Sequence, residues 1–260
     1  MPTYRLTVEY EGTRYRGWQE QKNARTVAGE LKRAIEAAVG EKVELGGSGR
    51  TDAGVHALAQ VAHLKSQSRI RTDDLRRQVD EALPADIHLL AVEPAGERFH
   101  ARHAAVARSY VYQISRRRTA LAKRFVWWVR RPLDEGAMGG AAARLAGRHD
   151  FARFCEKPEE QTSTLVEVVR CEVATEGDLV LVRLVASHFL WKMVRRVVGA
   201  LVEVGAGALS GDDFAALLTR APVRFDPAAA TAPPSGLFLE RVLYPQEAPL
   251  APLRAITPVR

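Results

Sequence analysis

The hydrophobic period of this chain changes repeatedly between two values, and that alternation limits what it can fold into. Tyr4, Leu6, Val8 and Tyr10 alternate with Arg5, Thr7 and Glu9, the pattern of a half-buried strand. Over 26–39 the period becomes helical, with Val27, Leu31, Ile35, Ala38 and Val39 on one face, Thr26 as N-cap and Gly40 just past the end. A strand is predicted for VHALAQVAHL (55–64), then a helix over 73–83 between Thr72 and Pro84, then a strand over DIHLLAVE (86–93). The second half follows the same plan. AVARSYVYQI (105–114) reads as a strand and LDEGAMGGAAARLAG (133–147) as a helix of small residues. LVEVVRCEVA and DLVLVRLVA form a hairpin closed near Glu176-Gly177. A helix from about 188 to 204, another after Ser210 and a strand near 237–243 complete it, with ATAPPSG (230–236) as a loop. Such a chain is α+β, with two similar halves that each lay helices on a mainly antiparallel sheet. The halves are placed at 1–104 and 105–245, and the Pro-rich tail 246–260 is expected to pack loosely.

Composition narrows the partners. The 260 residues hold 38 Lys and Arg against 31 Asp and Glu, a formal charge of +7 that favours an anionic partner, nucleic acid first. Thirty-one of the 38 basic residues are Arg, whose forked donors suit phosphates and base edges, although a biased genome gives the same skew. Cys155 and Cys171 form no CxxC or Cys/His cluster, so neither zinc nor a disulfide framework is indicated. The seven histidines lack metal-ligand spacing, and no metal is expected. MPTYRLTVEY is not a signal peptide, and no apolar run approaches the ~20 residues that span a bilayer. The expected setting is the cytoplasm, without a membrane partner.

One stretch stands apart. GGSGRTDAGVHA (46–57) crowds Gly46, Gly47, Gly49 and Gly54 around Arg50 and Asp52, then runs into an apolar segment. Glycines allow tight turns and close approach to the backbone, but a turn needs no pair of opposite charges. An Asp in such a loop often does no more than accept backbone N–H bonds. Here it keeps company with four other motifs, in order: YEGTRYRGWQEQ, FHARHAAVARSYVYQI, FLWKMVRRVVGALVEVG and GLFLERVLYP. Together the five resemble the tRNA pseudouridine synthase A family over residues 3–245.

The resemblance implies a pseudouridine synthase fold with an active-site cleft between its halves. It implies isomerisation of uridine to pseudouridine at positions 38, 39 and 40 of the tRNA anticodon stem-loop, by a cofactor-free homodimer. The reaction breaks the bond from ribose C1′ to uracil N1 and rejoins C1′ to C5, with no redox change. Asp52 matches the family nucleophile. Arg195, in MVRRVVG, matches the arginine that pairs with that aspartate and keeps it ionised; Arg196 beside it is expected to face solvent or phosphate. Arg50 matches the residue that fills the space left by the flipped base, while its spacing equally allows a phosphate contact. Tyr110 matches the active-site tyrosine that stacks on the base, and Tyr112, on the same strand face, is read as core. Leu237 matches the apolar residue against the target uracil. His56 is read as a support of the loop. Arg116, Arg117 and Arg118, in RRRTALAKR, are candidate phosphate contacts.

Two departures qualify the match. Ser163 stands before Thr164 where the family has an Arg, and Glu11 replaces a more usual Asp. Other classes were weighed on the same residues. For a non-catalytic RNA-binding module with sheet-borne aromatics the aromatics do not decide, since an RNP1-type pattern is missing yet sheets of the resembled family also bind RNA; Asp52, with Arg195 elsewhere, favours the enzyme. A glycosidic hydrolase needs two carboxylates around the bond, and the signature offers only Asp52. Attack by Asp52 at C1′, at C6, or promotion of C2′ proton loss all remain open to such a carboxylate.

Overall fold

The computed structural model describes residues 1–219 and 221–259. The chain divides into two compact units, Met1–Val106 with Phe238–Glu247, and Ala107–Leu237 with Ala248 onward.

In the first unit, β1 (Thr3–Tyr10) lies between β3 (His56–Lys65) and β4 (Ile87–Ala95), antiparallel to both. Its alternation works as expected: Tyr4, Leu6, Val8 and Tyr10 are buried, while Arg5, Thr7 and Glu9 line the more open face. On the other side of β3 lie β2 (Glu44–Gly47), antiparallel, and β10 (Leu237–Leu243), parallel through Phe238 opposite His56. Helix α1 (Val27–Val39) buries Val27, Leu31, Ala34 and Ile35. Thr26 Oγ1 accepts from Gly29 N at its start, and Gly40 ends it at φ 71°. Helix α2 (Thr72–Ala82) buries Leu75 and Val79 and packs on β4. Its cap position is Arg71, not Thr72, and no side chain caps it. Asp73 and Asp74 in its first turn supply the negative charge that suits a helix start.

In the second unit the strand order is β5-β9-β8-β7, built from β5 (Ala107–Ser115), β7 (Gly147–Asp150), β8 (Leu165–Glu176) and β9 (Leu179–Ala186), all antiparallel. Short β6 (Trp127–Trp128) runs parallel to β5. The predicted hairpin closes on Gly177-Asp178, where Gly177 takes φ 57°. Helices α3 (Glu135–Ala143), α4 (Met193–Gly205) and α5 (Gly211–Ala216) complete the unit, and α3 packs on β8 and α4. Ser210 caps α5, its hydroxyl accepting from Asp213 N.

Two expectations are corrected here. The helix forecast from about 188 starts only at Met193, because Lys192 turns left-handed at φ 61° and breaks the run. The tail is not loose. Val259, Leu253 and Ala255 pack with Ala122, Val126, Leu179 and Leu181. Ile256 N and Thr257 N both donate to Gln113 Oε1, at 2.7 and 3.2 Å. This second layer explains why every residue of β5 and β9 is buried, where a one-sided sheet would alternate.

Candidate active site

The Gly-rich stretch is not a floppy loop. Gly46 and Gly47 are the end of β2, and any side chain there would run into the rings of His63 and Trp18, so their smallness serves close approach. Only Gly54 of the four has a positive φ, 79°. Ser48, Gly49 and Thr51 are each tied to residues outside the stretch. Ser48 N donates to Val61 O at 2.8 Å and Ser48 Oγ to Gln60 Oε1 at 3.0 Å. Gln60 Nε2 donates to Gly49 O at 3.0 Å. Thr51 is buried, its hydroxyl 2.8 Å from the Tyr10 phenol, and its carbonyl accepts from Trp18 N at 3.1 Å. Val55 N closes a turn on Asp52 O.

Those bonds fix what the two charged residues do. With Thr51 anchored inward, Arg50 before it is exposed and Asp52 after it is half-buried. His56 supports the loop as expected: its Nδ1 accepts from Gly12 N at 3.1 Å, and its ring stacks on Phe238 at 4.8 Å. Burial of the Tyr10 phenol pushes its pKa well up, so it stays protonated and holds its hydrogen bonds at any physiological pH.

Sequence reasoning missed Tyr10, Trp18, Thr51 and Gln60 as the frame of this loop. Gln60 carried a signal: it is the polar residue in the middle of an apolar strand, and a buried amide needs partners.

The second unit holds the other candidates. Tyr110 on β5 is buried, and the Phe189 ring meets it edge-on at 5.0 Å. Tyr112 is core, as read: its hydroxyl donates to Pro233 O at 2.7 Å, and burial holds its pKa far above the usual phenol value, partly offset by Arg195. Arg195, half-buried in the first turn of α4, donates from Nε to Ala232 O at 2.7 Å. Arg196 corrects the expectation of solvent or phosphate. It is buried, donating to Cys155 O at 2.5 Å and to the Glu156 carboxylate, and so serves packing. Leu237 is buried at the start of β10. The basic loop is partly self-satisfied: Arg116 lies 3.1 Å from Glu135 and Arg117 lies 2.7 Å from Asp178, and all three arginines are exposed. Ser163 Oγ accepts from Leu165 N at 3.2 Å, a local turn contact.

Among the described residues no cluster of three His, Cys, Asp or Glu side chains could hold a metal ion, and no helix is long and apolar enough to cross a membrane. What the first unit offers chemically is one carboxylate and one guanidinium, on either side of a buried threonine in a loop bonded at Ser48, Gly49 and Thr51. A carboxylate on such an anchored backbone suits covalent attack.

Known proteins resemble this chain over most of its length. Residues 6–103 and 141–245 match a protein family described as tRNA pseudouridine synthase. The chain is 44% identical over 252 residues to tRNA pseudouridine synthase A of Nitrobacter hamburgensis, covering 94% of this chain and 100% of that protein. It is 43% identical over 247 residues to the protein of that name from Rhodopseudomonas palustris, covering 94% and 100%. With the Brucella ovis protein of the same name identity is 42% over 249 residues, covering 94% and 98%.

Proposed function

The chain belongs to the tRNA pseudouridine synthase family, and on that premise we propose that it isomerises uridines 38, 39 and 40 of the tRNA anticodon stem-loop with Asp52 as nucleophile. The observation that carries the assignment is the anchoring of Thr51, which leaves Arg50 exposed and Asp52 half-buried on a loop bonded at Ser48, Gly49 and Thr51. Catalysis needs a carboxylate that is ionised and already aimed, because attack by a mobile group forfeits the entropy advantage.

In this reading the target nucleotide leaves the stack, and Arg50 takes up the vacated space or holds the neighbouring phosphate. Asp52 carries the covalent step that lets the uracil detach from C1′, turn and rejoin through C5. Tyr110 stacks on the flipped base, Leu237 gives it an apolar wall, and Arg195 is the cation that favours the ionised carboxylate. Tyr110 has Phe189 edge-on beside it. Stacking is the role assigned to Tyr110 here. No cofactor enters, since the isomerisation neither gains nor loses atoms or electrons. Arg116, Arg117 and Arg118 add phosphate contacts. The working form is a homodimer in the cytoplasm, as the family resemblance implies.

Asp52→Asn tests the reading. It keeps the shape of the side chain and removes the nucleophilic charge. The variant binds tRNA with near-normal affinity and releases no tritium from tRNA carrying 5-tritiated uridine. Turnover within about tenfold of the parent, a loss of under about 1.4 kcal/mol in barrier terms, would falsify Asp52 as nucleophile.

A further inference from the structure

We propose that Trp191, flanked by Lys157 and Lys192, is a stacking platform for an unpaired nucleotide of the RNA, outside the reaction site; this rests on the reading of the protein as a tRNA-modifying enzyme. Trp191 is 43% exposed, whereas Trp18 is buried at 3%. The Lys192 ammonium lies 5.6 Å and the Lys157 ammonium 6.0 Å from the centre of its ring.

The backbone is what brings these groups together. Lys157 and Lys192 have φ of 51° and 61°, and Gln246 is the one other non-glycine described residue with a positive φ. An L residue adopts that conformation at a cost of about 1 kcal/mol or more, and such strain gathers at functional places. Both strained lysines put their ammonium over one exposed indole. The two segments are also tied directly, since Glu156 N donates to Trp191 O at 2.9 Å and the Glu156 carboxylate receives Lys192 Nζ at 3.2 Å. Bonds to its backbone and to the neighbouring lysine thus hold Trp191 where much of its ring stays exposed.

The charges fit a nucleotide better than an apolar partner. Lys157 pairs with Glu160 at 2.6 Å, and both groups are about half-exposed. An ion pair of that kind contributes little, so a phosphate can replace the carboxylate. A base can stack on the indole face while its phosphate meets the ammoniums, whereas a purely apolar surface would have to strip water from both. Glu156, Glu159 and Glu160 beside these lysines keep the patch from being a general polyanion trap, which favours a single nucleotide over a long backbone track. The short stretch from Phe189 to Arg195 carries the ring that meets Tyr110, then Trp191, then the α4 arginine. Trp191 therefore sits on the segment that supports the proposed site residues of its own unit.

The experiment is tRNA binding and turnover with an unmodified transcript, using full-length Trp191→Ala, Trp191→Leu and Trp191→Phe. Leu keeps apolar bulk without a π face, and Phe keeps the face. Ala and Leu are expected to weaken binding on the order of tenfold, as loss of one base–aromatic stack does, and to raise KM with kcat unchanged. Phe should stay within about twofold, and tRNA should quench less fluorescence in it than in the parent, because the stacked indole is gone. If Ala destabilises the fold, the Leu variant decides. Normal binding by the Leu variant overturns the proposal, and so does a change confined to oligomeric state in sedimentation, which would make the ring a protein contact. The parent enzyme reports separately: one that binds the transcript through Trp191 and makes no pseudouridine refutes the reaction assignment alone.

Discussion

The Thr51 hydroxyl and the Tyr10 phenol are 2.8 Å apart, both buried, joining the loop that bears Asp52 to the first strand of the chain. Thr51→Val keeps the shape and removes the hydroxyl. The expected loss is about 1–3 kcal/mol, the cost of a buried polar group deprived of a partner. For a protein of this size that lowers Tm by about 2–4 °C per kcal/mol. Turnover should fall further than stability explains, because the freed loop no longer aims Asp52. Calorimetry beside tritium release measures both, and an unchanged Tm with full activity would show the pair to be idle.

Acid should weaken the first unit through a stack of histidines. His63 and His100 lie with ring centres 4.3 Å apart, as do His100 and His103, and His63 Nδ1 accepts from Ala101 N at 3.2 Å. Burial first, then the neighbouring imidazole, lowers the pKa of both His63 and His100; Glu44 opposes this and Lys65 adds to it. A pKa lowered by folding means that the unfolded chain binds the proton more readily. Stability is therefore complete above the ordinary histidine value of about 6.5 and declines as pH falls below it. His63→Asn retains an acceptor for Ala101 N and cannot titrate. Denaturant melts from pH 7.5 down to 5 should show a flatter dependence in that variant, and identical slopes would exclude the stack as the cause.

Gly199 in α4 faces the carbonyl of Ala230 so closely that a methyl group would overlap it. The same contact region holds Arg195, which donates to Ala232 O while Ala232 N donates back to Arg195 O at 3.1 Å. Gly199→Ala must push helix and loop apart, at a cost of about 1–3 kcal/mol or more. Because Arg195 loses its anchor, kcat should drop in a variant that still binds tRNA. A variant with parental Tm and kcat would mean that the 230–232 segment yields freely.

Salt dependence will show how many arginines of the 116–118 run meet phosphate. Each phosphate contact adds close to one unit to the slope of log affinity against log salt. Arg116 and Arg117 already face Glu135 and Asp178. All three arginines are exposed and such pairs are weak, so replacing all three by Ala should flatten the slope by about three, while a change of only about one would leave Arg118 as the one phosphate contact of the three. A full change would mean that RNA displaces both carboxylates.

Much of the fold was legible because side-chain pattern and capping agreed. Helix α1 announced both ends through Thr26 and Gly40, Ser210 marked the start of α5, and the alternation of β1 predicted which face would be buried. Strand β2 was hidden because two of its four residues are glycines, which carry no pattern, and β6 and β7 are too short to show a period. The start of α4 was misjudged since FLWK has ordinary helix propensity and nothing in composition reveals a left-handed lysine. Arg196 looked like a surface charge until Glu156 and the Cys155 carbonyl supplied its partners from far along the chain. At the candidate site the charged residues were visible through their motif. The frame of Tyr10, Gln60 and Thr51 was not, because it depends on cross-strand register that no local pattern encodes.

The strand made last completes the unit made first. Residues 238–247 belong with the opening 106, and β10 pairs beside β3 through Phe238 and Leu239. During synthesis the amino-terminal portion must leave the ribosome with the His56 end of β3 unpaired and wait while almost all of the remaining chain is translated. An isolated 1–106 fragment should therefore aggregate or bind a chaperone, and a synthetic 237–247 peptide added in trans should rescue it, as light scattering would register. Termination of translation before β10 leaves the first unit without this strand, so its docking, followed by the packing of the tail that comes after it, is a late event by which quality control can tell finished molecules from abandoned ones.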